Sequence, residues 1–222
     1  MMGLKDWMVH EEPKIPHNPN YNGLEYLYHY TLPKALYMLT DPEWTRAIFV
    51  RDPKERLLSA YLDKAAKKHG LYVDRHCCHT DLEKNNSCGK IASRSLSDFI
   101  RVIREQCCCD AHWKPQGKRI DSELWEYVNF VGYFDSMASV SKRMLMRLGG
   151  GAWEKFGAAG WGEFQNESIF VESSRAKHRT GAGDKLSKYF NDSKLEDLVL
   201  DFYSSDYERF HFTPNRIAGS LN

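Results

Sequence analysis

The chain has 222 residues, of which 42% are hydrophobic and 13% aromatic, so a folded domain with a full core is expected and intrinsic disorder is excluded. Its formal net charge of +1 excludes a bulk electrostatic attraction to nucleic acid or to a membrane surface. Because it has no apolar run of about 18 residues and no signal peptide, we expect no membrane contact from this chain itself.

The first half of the chain alternates short regular elements with irregular segments. Pro13, Pro16 and Pro19 favour an irregular N-terminal segment over residues 1–23. The elements predicted after it are a helix from Thr31 to Thr40, a strand over 46–51, a helix over 53–69 ended by Gly70, and a Cys/His-rich excursion over 71–93. The weak hydrophobic periodicity of the excursion predicts a loop tied by disulfides.

The second half continues the same alternation. The elements predicted there are an amphipathic helix over 95–106, a strand from Trp125 to Phe134, a helix over 136–148, an irregular Gly-rich stretch over 152–183, and helices over 184–190 and 193–210. Short strands that alternate with helices are typical of an α/β domain. We therefore predict one α/β domain that spans residues 1–222.

The junction near residue 52 predicts a strand that passes directly into a helix. Ala47-Ile48-Phe49-Val50 is an apolar run that is too short for a helix of its own. Asp52 can cap the helix that follows, Pro53 suits its first turn, and Glu55 completes an Asp-x-x-Glu capping box.

This junction also indicates a phosphate site. Arg51 is placed at the end of the strand, beside the electropositive start of the helix, and Arg56 precedes Ser59 by one turn on the same helix face. Guanidinium groups, a hydroxyl and a helix N-terminus are suitable ligands for phosphate. An ordinary strand–helix junction with a solvated arginine is the alternative at this point.

The junction resembles the 3′-phosphate-binding motif of sulfotransferases, in which an Arg-x-Pro at a strand end is followed by a Ser in the next helix. Further segments are similar, in order, to the patterns of carbohydrate sulfotransferases of the Golgi type. These segments are Cys109–Gln116 (Cys-x-x-His-Trp-x-Pro-Gln), Tyr127–Asp135, His178–Thr180, Lys185–Phe190 and Phe202–Glu208. The resemblance covers most of residues 45–210.

The resemblance implies a P-loop-like α/β fold, with a central, mostly parallel sheet flanked by helices. It implies sulfuryl transfer from 3′-phosphoadenosine 5′-phosphosulfate (PAPS) to a carbohydrate hydroxyl, with Arg51 and Ser59 on the donor's 3′-phosphate and Arg56 and Arg179 close to it. His112 is the candidate base for the acceptor, and an unperturbed imidazole titrates near physiological pH; a structural histidine is its alternative role.

The resemblance also implies surroundings for the site. Trp113 is a candidate for stacking on a sugar ring, and a glycan is the expected partner. Relatives of this type act in the Golgi lumen and are membrane-anchored.

One part of the family pattern has no counterpart in residues 1–50. The expected Lys-bearing, Gly- or Ser-rich loop for the 5′-phosphosulfate is not found there, because Gly3 and Gly23 are the only glycines of this stretch. We therefore expect a fold that is incomplete on its N-terminal side, and an inactive or truncated nucleotide-binding remnant is the alternative function.

The six cysteines occur as Cys77-Cys78, Cys88 and Cys107-Cys108-Cys109. Disulfides suit an oxidising, luminal compartment, and the sequence leaves their connectivity open. With His76 and His79 the cysteines also raise a zinc hypothesis, but the spacing is not that of a finger, so no metal is expected. A Cys/His-stabilised interaction module is a further alternative function.

Overall fold

The computed structural model of the protein describes residues 24–78, 87–158 and 180–218. The predicted irregular segment 1–23, the middle of the excursion 71–93 and most of the Gly-rich stretch 152–183 lie outside these residues, as does Arg179. The regular elements of the described ranges are α1 (Leu32–Thr40), β1 (Ala47–Val50), α2 (Pro53–Ala60), α3 (Leu71–Cys77), α4 (Cys88–Ala92), α5 (Leu96–Gln106), β2 (Phe130–Tyr133), α6 (Met137–Leu148), α7 (Ala152–Phe156), α8 (Leu186–Tyr189), α9 (Ser193–Phe202) and α10 (Ser204–Phe210).

The two strands form a small parallel sheet, which confirms the α/β class. The backbone N–H groups of Asn129 and Phe130 donate to the carbonyl of Arg46, while the Asn129 side chain accepts from the Arg46 N–H at 2.9 Å. The second strand is shorter than predicted, because residues Ser122–Tyr127 form a 3-10 helix. Only Phe130–Tyr133 has the alternating burial of a strand.

Helix α2 begins as the capping residues predict and ends earlier than expected. The Asp52 carboxylate accepts a hydrogen bond from the Glu55 N–H at 3.0 Å, and Pro53 lies in the first turn. The predicted capping box is only half formed, because the Glu55 carboxylate accepts from Arg51 Nε at 3.1 Å. After Ala60 the chain continues as a π-helix over Tyr61–Ala66 and a 3-10 helix over Lys67–Gly70, so the predicted helix over 53–69 is three successive helical forms.

The excursion over 71–93 was predicted to be a loop tied by disulfides. The disulfides are present, but the prediction of a loop is wrong for the described part. Helices α3 and α4 lie there, joined by the disulfide Cys78–Cys88, and Cys77–Cys107 ties α3 to the end of α5. The apolar positions of these helices include half-cystines, which are buried like other hydrophobic side chains. A pattern that excludes cysteine therefore underestimates their helical periodicity.

The chain divides into two compact units, each of which is held together by contacts among its own residues. The first contains the described residues up to Ile48, Glu126–Gly132 and the described residues from Ser136 to 158. The second contains the described residues of Phe49–Trp125, Tyr133–Asp135 and the described residues from 180 onward.

The hydrophobic core of the second unit forms around α2, α5 and α9. Phe99, Ile100 and Ile103 project from α5 into it at helical spacing and are fully buried. The predicted helix over 193–210 is interrupted at Tyr203, whose ring is buried and whose hydroxyl donates to the Trp113 carbonyl at 2.7 Å.

Among the described residues, none of the helices has both the length and the apolar character needed to cross a bilayer.

Candidate functional site

The second unit contains a cavity of about 160 Å³ in which several of the predicted site residues meet. Its lining residues are Arg51, Arg56, Ser59, Ala60, Asp63, Lys64, His112 and Thr180. Three permanent cations and one carboxylate contribute to this lining, so the cavity is suited to an anion. The strand–helix junction and the His112 loop, which are far apart in sequence, therefore share one site.

A buried glutamine joins the strand–helix junction to the His112 loop. The Gln116 side chain accepts a hydrogen bond from the Arg51 N–H at 2.9 Å and donates to the Arg51 carbonyl at 2.8 Å. The buried Asp206 carboxylate in turn accepts from the backbone N–H groups of Gln116 and Gly117, both at 2.7 Å. These bonds satisfy the backbone of residue 51 where β1 ends and fix the start of the Arg51 side chain.

The Arg51 side chain is partly exposed, and only part of its guanidinium is hydrogen-bonded within the described protein. Its Nε lies 3.1 Å from a Glu55 carboxylate oxygen, and its guanidinium lies over the Phe134 ring at 5.1 Å. Among the described residues, no hydrogen-bond partner is seen for its two terminal nitrogens. Arg51 can therefore offer a guanidinium edge to an anion while Glu55 holds the other edge.

Ser59 is paired across the site with a residue that sequence reasoning had given no role. Its hydroxyl and the Thr180 hydroxyl lie 2.9 Å apart. Either hydroxyl can be the donor, so one O–H remains free to turn toward a ligand.

The Arg56 guanidinium is hydrogen-bonded mainly to the protein backbone. Its terminal nitrogens donate to the carbonyls of Lys114 at 2.8 Å and Ala111 at 3.0 Å, and its burial lowers its pKa below the usual arginine value. Arg56 therefore contributes charge to the cavity wall and holds the His112 loop in place. The prediction that it binds the donor directly stays a prediction.

His112 is held by a carboxylate at Nδ1, and within the described ranges no partner is seen for Nε2. Its Nδ1 lies 2.8 Å from Asp110 Oδ1, and its backbone N–H donates to the same oxygen at 2.8 Å. Because an ionised carboxylate only accepts, Nδ1 carries the hydrogen and Nε2 is the proton acceptor. The His112 side chain is 40% exposed and lines the cavity.

Tyr72 completes this arrangement from a distant helix. Its hydroxyl donates to Asp110 Oδ2 at 3.0 Å and lies 3.1 Å from His112 Nδ1. Burial, followed by the charge and hydrogen bond of Asp110, raises the pKa of Tyr72 to about 12, so the phenol stays protonated as a donor. Burial also opposes ionisation of Asp110, but the hydrogen bonds from His112 and Tyr72 outweigh it and lower its pKa.

The sequence suggested neither of these two partners. Asp110 lies two residues before His112 in the same motif, and this spacing of an acid and a histidine could have indicated it. Tyr72 is 38 residues away in sequence from Asp110, and no local pattern indicates the contact.

Two further predictions concerned the side chains of Trp113 and Arg179. Trp113 was expected to stack on a sugar, but its side chain is fully buried against Phe99 and its Nε1 donates to the Cys107 carbonyl at 2.6 Å. This prediction is wrong, because a side chain in the core cannot contact a substrate. Arg179 lies outside the described residues, so its predicted role stays a prediction.

The described part of the cysteine-rich region does not favour the zinc hypothesis. The one candidate group found in that part contains Asp74, Cys78 and Cys88. Its two sulfurs are joined in a disulfide, so they are not available as thiolate ligands.

The chain is similar to known proteins of one family. A family model described as "Sulfotransferase family" matches residues 1–213. Among curated proteins, the chain is 27% identical over 180 residues to carbohydrate sulfotransferase 9 of Homo sapiens and 24% identical over 181 residues to carbohydrate sulfotransferase 8 of Mus musculus. Each match covers 77% of the chain but only 38% and 40% of those two proteins, respectively. No solved structure matches the chain.

Proposed function

Because the chain belongs to the sulfotransferase family, we propose that it transfers a sulfuryl group from PAPS to a hydroxyl of a carbohydrate. The observation that carries the proposal is the cavity in which Arg51 and Ser59, from the strand–helix junction, line the same space as His112. A sulfotransferase needs an anion site for its nucleotide donor and a base for its acceptor within one site.

Arg51 and Ser59 are suited to the 3′-phosphate of the donor. The free edge of the Arg51 guanidinium supplies charge-assisted hydrogen bonds, and the Ser59–Thr180 pair supplies a hydroxyl donor. Helix α2 begins at Pro53, two residues after Arg51, so its N-terminal dipole adds to the positive potential there. The two arginines and Lys64 outnumber the Asp63 carboxylate of the lining and the Glu55 carboxylate that is paired with Arg51.

His112 acts as the general base in this proposal. Its Nε2 takes the proton of the acceptor hydroxyl as the acceptor oxygen bonds to sulfur and the bond from sulfur to the leaving phosphate oxygen breaks. The Asp110 carboxylate on Nδ1 stabilises the imidazolium formed in this step, and Tyr72 holds that carboxylate. The acceptor class is inferred from the two relatives, whose names describe carbohydrate sulfotransferases.

We propose that the enzyme acts in the Golgi lumen. The two disulfides of the second unit are of a kind that forms and persists in an oxidising compartment. Localisation of the full-length protein by microscopy against a Golgi marker tests this placement, and a cytosolic distribution would contradict it.

Loss of the Arg51 side chain should weaken binding of the nucleotide. We expect Arg51→Ala to raise the Kd for 3′-phosphoadenosine 5′-phosphate by roughly 10- to 150-fold, or about 1.5–3 kcal/mol, the scale of a charge-assisted contact. Isothermal titration calorimetry measures this change. Arg101→Ala on the exposed face of α5 is the matched control for loss of one arginine. Equal affinity of Arg51→Ala and the control would show that the strand–helix junction does not bind the nucleotide.

Asp110→Asn should impair transfer without affecting the nucleotide. The asparagine oxygen can still accept from the His112 N–H and Nδ1, as Asp110 Oδ1 does, so the imidazole stays in place. The substitution removes the negative charge that stabilises the imidazolium formed when Nε2 takes the proton. We expect kcat to fall by about 10²-fold, the lower end of the range over which a general base contributes, with unchanged nucleotide affinity. Steady-state kinetics measure kcat, and calorimetry measures the nucleotide affinity. An unchanged kcat would show that Asp110 has no role in the reaction.

The function itself is tested by two assays of the same protein. Calorimetry measures binding of 3′-phosphoadenosine 5′-phosphate, and transfer of radiolabelled sulfate from PAPS is measured with a panel of glycan acceptors. Binding together with transfer supports the proposal. Binding without transfer would favour the nucleotide-binding remnant, and absence of both would favour an interaction module stabilised by the cysteines.

A further inference from the structure

Two of the six cysteines are left over from the disulfides and lie side by side. Cys77–Cys107 and Cys78–Cys88 account for four of them. Cys108 and Cys109 are free and exposed, and they follow directly after the half-cystine Cys107. Small molecules in solution can therefore reach both thiols.

The two thiols are in direct contact. Their Sγ atoms lie 3.3 Å apart, at the distance of a hydrogen bond between sulfur atoms. This hydrogen bond is the main reason that the pKa of the Cys108 thiol is raised, with burial and the charge of Cys109 adding to it. The neighbouring sulfur thus already affects the ionisation of Cys108.

The turn that carries the thiols is fixed on both sides. Before it, the Cys107 N–H donates to the Ile103 carbonyl at 3.1 Å, and the Cys107 sulfur is bonded to Cys77. After it, the Asp110 carbonyl accepts from the N–H groups of Trp113 and Lys114 at 3.2 and 2.7 Å. These anchors hold Cys108 and Cys109 together in a short segment.

We propose that Cys108 and Cys109 form a redox modification site, at which a small-molecule disulfide such as glutathione disulfide closes the two thiols into a vicinal disulfide. Nothing in the proposed transfer reaction uses these thiols. The site is therefore a feature of the chain in addition to its nucleotide cavity.

The chemistry is two consecutive thiol–disulfide exchanges. One protein thiol loses its proton and attacks a sulfur of glutathione disulfide, which forms a mixed disulfide and releases one glutathione thiolate. The second protein thiol then attacks the protein sulfur of the mixed disulfide and releases the other glutathione. The two protons of the cysteines leave on the two glutathione thiols. The protein loses two electrons, and glutathione disulfide gains them.

Proximity decides how far the exchange proceeds. A lone exposed thiol stops at the mixed disulfide, because its next partner must come from solution. Here the second sulfur is 3.3 Å away from the first, so the second exchange is intramolecular and has a high effective concentration.

The test is the state of the thiols after exposure of the folded full chain to glutathione disulfide. Unreacted thiols are alkylated without prior reduction, and the protein is analysed by intact-mass and peptide mass spectrometry. Before treatment we expect two alkylated cysteines, Cys108 and Cys109. After treatment we expect loss of both alkylation sites, no bound glutathione, and a mass lower by two hydrogen atoms, with both sites restored by mild reduction.

Single variants provide the matched control. Cys108→Ser and Cys109→Ser each leave one thiol, so each should accumulate a stable glutathione adduct that the unmodified chain does not. A stable adduct on the unmodified chain, or retention of both alkylation sites, would overturn the proposal. So would a link from Cys77 to Cys108 or Cys109, because it would show exchange with the Cys77–Cys107 disulfide. The readout needs no catalytic activity and is independent of the proposed function.

Discussion

Replacement of His112 by alanine is expected to slow sulfuryl transfer by about 10²–10⁴-fold, the range over which a general base contributes. The physical reason is that Asp110 fixes the imidazole with its hydrogen on Nδ1, so Nε2 is the proton acceptor that the alanine removes. Nucleotide affinity should change little, because no anion-binding side chain of the cavity is altered. Single-turnover transfer of radiolabelled sulfate measures the rate, and calorimetry measures the affinity.

A second variant separates the chemical role of His112 from a structural one. His112→Asn keeps a side-chain N–H that can donate to Asp110, as Nδ1 does, but it lacks a nitrogen equivalent to Nε2. If His112 is the base, the asparagine variant should be as slow as the alanine variant. Recovery of the rate in His112→Asn would mean that the bond to Asp110, and not proton transfer, is what the reaction requires.

Loss of the Lys54 ammonium is expected to produce the largest change in stability. Lys54 and Glu196 form an ion pair at 2.5 Å, with side chains 4% and 0% exposed. Glu196 also accepts hydrogen bonds from the N–H groups of Ile217 and Ala218 at 2.9 and 3.1 Å. Lys54→Met leaves a buried carboxylate without its counter-charge, and the free energy of unfolding should fall by about 3–5 kcal/mol. Urea denaturation followed by circular dichroism measures it.

Acid should reduce the effect of this substitution. Burial by itself opposes ionisation of Glu196, but the Lys54 ammonium and the two N–H donors outweigh it and lower the Glu196 pKa. A carboxyl of this kind contributes its full stability above the unfolded pKa, near 4.5. The contribution is lost as pH falls through the lower folded pKa. The difference between the unmodified chain and Lys54→Met should therefore shrink when denaturation is repeated well below pH 4.5.

An exposed ion pair of the same unit serves as the control. Arg104 and Asp201 lie 2.7 Å apart, but the Asp201 side chain is 68% exposed. Asp201→Ala should change the free energy of unfolding by no more than about 1 kcal/mol, since solvent screens such pairs. If Asp201→Ala and Lys54→Met lowered the free energy of unfolding by similar amounts, burial of the ion pair would not be the reason for the effect of Lys54→Met.

The local parts of this protein follow from its sequence. The apolar run 47–50, the Asp52 cap and Pro53 predict the strand end and the start of α2 within a residue or two, because these interactions act over one turn of chain. The spacing of Leu96, Phe99, Ile100 and Ile103 likewise predicts α5 and its buried face. The motifs at Arg51 and His112 indicate the family and two halves of the cavity.

The tertiary structure alone decided which further residues complete the site and which predicted residue lies outside it. Tyr72 reaches Asp110 across 38 residues, Thr180 reaches Ser59 across 121, and the Asp206 carboxylate reaches the Gln116 backbone across 90. Trp113 belongs to the core, although its motif places it next to His112. Each of these contacts depends on how elements that are distant in sequence pack together, and helical spacing or a capping residue carries no information at that range. The sequence therefore determined the strand–helix junction, which we propose as the anion site, and the histidine, while packing determined the charge and the hydrogen bonds that surround them.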